Sequence, residues 1–237
     1  MLAGCGKQTP EEIIKQVNSS GTISDEQAES LSQLDDVNLY GLSSITDEQA
    51  ESLSKVQFGA LSLDGLTSIT DAQAESLSKV VRFLFLNGLT SITDEQAESL
   101  GRIEGGLVLN GLTSITNEQA ESLSNIKGQL RLYGLTSITD AQAESLSKVN
   151  WLRLNGLISI TDPQAESLSK AERLDLNGLT SITDKQAESL SKVKRILILD
   201  GLTSITEAQA ESLSKVQYLS TSQACQTLIY KYKYKKP

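Results

Sequence analysis

The chain has 237 residues, no histidine, two cysteines, 4 % aromatic residues and a formal net charge of −9. Without histidine it lacks the commonest general base and metal ligand, and the acidic balance argues against a nucleic-acid partner. Ten aromatics are too few for a conventional core rich in Phe and Trp, and no run of 18 apolar residues reads as a membrane-spanning helix.

In chain order, residues 1–8 come first. Met1-Leu2-Ala3-Gly4-Cys5 resembles the lipobox of bacterial lipoproteins, in which the cysteine becomes the lipidated first residue. The resemblance implies lipidation at Cys5 and a tether to the cell envelope, with a cytoplasmic location as the alternative. The charged and apolar parts of an export signal do not precede it, so this reading expects either a start further upstream or a chain trimmed back to the lipobox. Residues 9–21 follow as a capping helix. Thr9 serves as N-cap, Pro10 opens the first turn and Glu12 stands at the third position. Ile13, Ile14 and Val17 give it one apolar side before Asn18-Ser19-Ser20-Gly21 ends it.

Residues 22–221 repeat. The phrase Ile-Thr-Asp-x-Gln-Ala-Glu-Ser-Leu, exact or nearly so, starts at Ile23, Ile45, Ile69, Ile92, Ile115, Ile138, Ile160, Ile182 and Ile205. Successive starts lie 22, 24, 23, 23, 23, 22, 22 and 23 residues apart. A period that short cannot hold an independent domain, so neighbouring copies must stack around a shared core. Within one unit, Leu61 and Leu63 alternate with polar residues as a short strand requires. Strands are expected at 61–63, 84–86, 107–109, 130–132, 152–154, 174–176 and 197–199, all parallel. Gly65 and its counterparts imply a positive φ or a close approach between coils. Thr70 and Gln73 form a capping box that opens a short helix. Leu61, Leu63, Leu66, Ile69, Ala74, Leu77 and Val80 then point inward, and the Asp71 column favours the helix first turn through the dipole rather than indicating calcium.

The phrase Leu-x-Leu-x-Gly-Leu-Thr-Ser-Ile-Thr-Asp resembles the leucine-rich repeat. Its Ile-Thr-Asp portion is most similar to the cysteine-containing subtype, with Leu66 standing where that subtype carries Cys and with shorter units. The resemblance spans roughly residues 22–221. It implies an α/β fold, a right-handed horseshoe solenoid of about nine coils with a parallel sheet on the concave face and short helices on the convex face. It is specific for fold and unspecific for function.

Residues 222–237 form the C-terminal cap and a basic tail. Tyr230, Tyr232 and Tyr234 alternate with Lys231, Lys233 and Lys235, which reads as a strand whose lysines guard an open sheet edge, with a basic tail that touches anionic cell-wall polymer or lipid as the alternative. Cys225 reads as a small buried residue of the cap. A disulfide to Cys5 would have to span about eight coils at ~4.8 Å each, far beyond the ~7 Å that the bond allows.

Nine copies can be compared with one another. Helix positions taken as exposed, such as Gln49, Glu51 and Ser52, scarcely change from copy to copy. The position before the first apolar strand residue reads Asp36, Ala60, Phe83, Gly106, Gln129, Trp151, Arg173, Ile196 and Tyr218. The position between the two apolar residues reads Asn38, Ser62, Phe85, Val108, Arg131, Arg153, Asp175, Ile198 and Ser220. The next outward position holds only Tyr, Asp or Asn, from Tyr40 through Tyr133 to Asp200. Free drift of exposed positions would have altered the helix columns as well. Variation confined to the sheet side is what a selected binding surface leaves, and six of the ten aromatics fall there.

The expected ligand site is Phe83 and Phe85 as an apolar patch beside Gln129, Arg131, Tyr133, Trp151, Arg153 and Arg173. Clustered arginines repel unless an anion or a carboxylate such as Asp175 compensates, so the cluster suits a carboxylate, a sugar acid or an acidic protein surface. Trp151 and Arg153 are expected to be largely exposed. The reading is a non-catalytic, envelope-tethered protein that binds a protein or glycan on its concave face, with no cofactor and with the membrane reached only through Cys5. A structural spacer is the alternative. Ice or crystal-surface binding is a weaker one, resting on a threonine ladder at Thr67, Thr90, Thr113, Thr136, Thr180 and Thr203 that Ile158 interrupts.

Overall fold

The computed structural model describes residues 8–56 and 58–234. The Cys5 segment lies outside the described residues. Among the described residues the chain opens with helix α1 (Pro10–Ser20) and closes with helix α11 (Gln223–Lys233). Between them run nine seven-residue helices, α2 (Asp25–Leu31) to α10 (Glu207–Leu213). These alternate with β1 (Val37–Asn38), β2 (Ala60–Ser62), β3 (Phe83–Phe85), β4 (Gly106–Val108), β5 (Gln129–Arg131), β6 (Trp151–Arg153), β7 (Arg173–Asp175), β8 (Ile196–Leu199) and β9 (Tyr218–Thr221). The strands form one sheet in chain order, every neighbouring pair parallel. This is a leucine-rich-repeat solenoid, with the strands on one side of the core and the short helices on the other.

The ladders begin one residue before the expected positions, at Ala60 rather than Leu61, because the varied residue ahead of the first leucine also pairs. Leu63 still donates its N–H to the next coil, to the Phe85 carbonyl at 2.9 Å. The seven expected core residues of that coil are all buried, and one continuous apolar core runs from Ile13 to Ile229. The glycine at position 65 answers a close approach, not a positive φ. A Cβ there would lie 2.5 Å from the Tyr40 carbonyl oxygen and 2.6 Å from that of Leu42. Among the described residues the one glycine with positive φ is Gly21, which ends α1 at φ 74°.

Each Ile-Thr-Asp-x-Gln phrase works as a clamp between coils. The Gln backbone N–H bonds the Thr hydroxyl and the Gln side-chain oxygen accepts from the Thr N–H, completing the capping box. The Gln amide then donates to the Ile carbonyl of the preceding coil, at 2.8–3.0 Å in eight successive junctions. The Thr hydroxyl donates in turn to the preceding coil's Asp, or to Asn117, at 3.0–3.2 Å. Gln49 is therefore buried, at 7 % exposure, and the expectation that it is an exposed helix position is wrong. It is constant because three hydrogen bonds depend on it. The Glu column, from Glu29 through Glu121 to Glu211, is exposed in all nine copies, so the comparison between faces rests on glutamate alone.

Both ends of the core are covered. At the N-terminal end Asn18 of α1 pairs with the free edge of β1, donating to the Asn38 carbonyl at 3.0 Å and accepting from Gly41 N–H at 2.9 Å. At the other end the Tyr/Lys tail is the last part of a helix, not a strand. Cys225, Leu228, Ile229 and Tyr232 recur at i, i+3, i+4 and i+7 and lie against the core, which a helical period alone permits. The lysines serve the junction with α10 instead of guarding a sheet edge: Lys231 pairs with Glu207 at 2.7 Å, and Lys233 donates to the Val216 carbonyl at 3.1 Å.

Candidate functional site

The register sets the varied residues side by side. Phe83, Gly106, Gln129, Trp151 and Arg173 are consecutive partners in one row of the sheet face, and Phe85, Val108, Arg131, Arg153 and Asp175 are consecutive partners in the next. Tyr133 lies just beyond, two residues after Arg131. The eight expected site residues thus occupy three neighbouring coils, plus the β3 pair two strands away.

They pack on one another rather than standing free. Gln129 is buried at 5 % exposure, Val108 is buried beneath its neighbours, and Asp175 is fully buried. Phe83, Phe85, Arg131, Tyr133, Trp151, Arg153 and Arg173 are half-buried, so the expectation that Trp151 and Arg153 are largely exposed does not hold. The reason is mutual cover. The Arg153 guanidinium lies 5.5 Å from the Trp151 ring centre and 5.7 Å from that of Tyr133, and Arg173 lies 5.3 Å from Trp151. Arg131 reaches back across two strands to the Phe83 ring, at 5.9 Å. Gly106 makes that reach possible. Its missing side chain leaves room for the Phe83 ring, whose Cε1 stands 2.2 Å from where a Cβ would be. The apolar patch of Phe83 and Phe85, with ring centres 6.1 Å apart, and the cationic cluster are therefore one continuous surface.

The electrostatics are uneven. Asp175 takes a hydrogen bond from Trp151 Nε1 at 3.2 Å and forms an ion pair with Arg153 Nε. It is one carboxylate against three guanidiniums. Arg131 Nε, Arg173 Nε and Gln129 Nε2 are buried donors with no acceptor. Burial, and then the neighbouring Arg153 charge, hold the Arg131 guanidinium below the usual arginine value.

Two features of this face were not anticipated. Phe58 and Val81 are exposed at 72 % and 48 %, each two residues before its strand, extending the apolar patch along the sheet margin. Their signal in the sequence was an apolar residue in a column that reads Glu104 and Lys127 in the next two coils. The Asn/Asp column, in contrast, is not a binding surface but a ladder. Asp64, Asn87, Asn110, Asn155 and Asn177 each accept a backbone N–H from the next coil at 2.9–3.1 Å. Among the described residues no group of three or more potential metal ligands was found, and no helix is long and apolar enough to cross a membrane.

No family model matches the chain, and no curated protein sequence does. Solved structures resemble it in fold. The leucine-rich repeat-containing protein LegL7 from Legionella pneumophila superposes with a TM-score of 0.65 at 16 % identity, covering 93 % of this chain and 89 % of that one. Toll, from the Drosophila Toll–Spätzle complex, gives 0.58 at 12 % identity, over 88 % of this chain and 33 % of that one. An internalin (InlF) from Listeria monocytogenes gives 0.53 at 17 % identity, over 89 % and 61 %. The chain therefore spans less than two thirds of the internalin and about one third of Toll. The likeness defines the class as leucine-rich-repeat solenoid, and the fold is what it establishes.

Proposed function

We propose that this chain is a non-catalytic recognition protein whose sheet face, between β3 and β7, docks a protein ligand. One observation carries the reading. Exposed glutamates on the helix face are constant in nine copies, whereas the sheet-face rows change at nearly every coil and collect the aromatics and arginines. Aromatic and arginine side chains are the residue types that dominate binding hot spots. Toll, which shares the fold, is in a complex with Spätzle in its solved structure. A glycan ligand is the second form of the same reading. It is less favoured because two guanidiniums already lie over the Trp151 ring that a sugar would stack on.

Cross-linked capture from extracts of cell surfaces tests it, using Phe83→Ala and Trp151→Ala against Glu144→Ala on the helix face. The sheet-face variants should lose a partner that the helix-face variant retains, all three keeping wild-type circular dichroism. Loss with Glu144→Ala alone would transfer the function to the helices, and capture of nothing by the wild type would leave a structural spacer as the reading. We extend the proposal to the cell envelope through the lipobox-like Leu2-Ala3-Gly4-Cys5. Metabolic labelling with a fatty acid in a bacterial host, with the chain expressed behind a lipoprotein export signal, should mark the wild-type chain and not Cys5→Ser.

A further inference from the structure

We infer that the cluster around Trp151 is a carboxylate-recognition site for an extended acidic segment of a partner protein. This rests on the reading of the sheet face as a docking surface and names what is docked. Buried donors in folded proteins are almost always satisfied, and each exception calls for a partner. Three exceptions sit here together: Gln129 Nε2, Arg131 Nε and Arg173 Nε. The Gln129 side chain is 95 % enclosed yet its amide donates to nothing, while its oxygen already accepts from Arg131 at 3.3 Å. The carboxylate within the cluster, Asp175, is fully buried and accepts from Arg153 and Trp151, not from the three orphaned donors. On a chain of net charge −9 this is a local excess of positive charge with donors left over. At the margin Arg82 and Glu104 contribute one charge of each sign and do not alter that balance.

The shape narrows the ligand. An open groove runs across the strands from Phe83 to Arg173, with a backbone floor at Gly105, Gly106 and Gly128. Four strand spacings of ~4.8 Å give about 19 Å, the reach of roughly six extended residues. Phe83 and Val81 at one end are apolar, Gln129 and Trp151 follow, and Arg173 stands at the other end, four coils on. Arg131 lies in the neighbouring row, over the Phe83 ring. The groove thus fits an apolar side chain followed about five residues later by a carboxylate, which the Arg173 guanidinium holds through charge-assisted hydrogen bonds.

The chain supplies its own reporter, since Trp151 is its single tryptophan. Trp151 fluorescence is titrated with the hexapeptide Leu-Gly-Ser-Glu-Gly-Glu, blocked at both ends, with its Gln-for-Glu counterpart and with oligogalacturonate. The Glu peptide should give a saturable change that weakens at least tenfold in the Gln peptide. Arg131→Gln with Arg173→Gln should remove that preference, so that the variant binds the two peptides alike, and Arg173→Gln alone provides the same readout if the pair fails to fold. Equal binding of both peptides would overturn carboxylate recognition while leaving sheet-face docking intact. A response to oligogalacturonate alone, or to none of the probes, would overturn the inference, and the capture experiment then decides the docking reading separately.

Discussion

The helix face and the sheet face are made by the same coils, and their polar residues do opposite things. On the helix face the constant Gln is buried and clamps each coil to the last, while the equally constant Glu is exposed. On the sheet face the changing residues form a local packed layer in which Asp175 and Gln129 are as enclosed as the core. Constancy alone therefore does not separate structure from function here, and neither does polarity. Burial and hydrogen-bond partners do.

That contrast can be tested from its strongest point downward. Asp175→Ala leaves the half-buried Arg153 and the Trp151 Nε1 donor without their shared carboxylate, and should cost about 3 kcal/mol in a denaturant melt. A loss under about 1 kcal/mol would mean the sheet-face layer is a solvated surface. Leu109→Ala, at a fully buried position of the shared core, should cost ~2–5 kcal/mol through the cavity it leaves. Gln119→Ala removes the capping box of its helix and the 2.9 Å bond to the Ile92 carbonyl, and should cost about 1–3 kcal/mol. Glu121→Ala, two residues along the same helix, should stay under about 0.5 kcal/mol. Equal losses for Gln119→Ala and Glu121→Ala would erase the distinction drawn between the two constant columns.

Much of this was legible in the sequence. Period, strand spacing, capping boxes and inward leucines are local patterns repeated nine times, and repetition makes each of them unambiguous. The sheet-face rows could be written out because a parallel sheet with one strand per coil keeps its register. What escaped depended on where side chains turn. Polarity alone reads Gln49 as exposed, although a capping box already folds that side chain back onto the backbone. The alternation of Tyr230, Lys231 and Tyr232 invited a strand, and the apolar spacing from Cys225 to Tyr232 outweighs it once a core end needs covering. Phe58 and Val81 lie between helix and strand, where neither period assigns a face. That Trp151 and Arg153 would be half-covered followed only from knowing which guanidinium lies over which ring.

The clamp between coils has a consequence for how such a protein changes length. Nearly every junction uses the same Thr, Asp and Gln side chains, Asn117 replacing Asp in one, and neither terminal cap touches the middle coils' clamps. A duplication of one 23-residue unit, such as residues 94–116, would slot in with its own Thr, Asp and Gln already matched to both neighbours. The two ends would still be sealed as before. The reading groove, however, would lengthen by one strand spacing, ~4.8 Å. Ligand length is then a quantity that this architecture adjusts in whole steps, by gene duplication, with no need to rebuild the surface residue by residue.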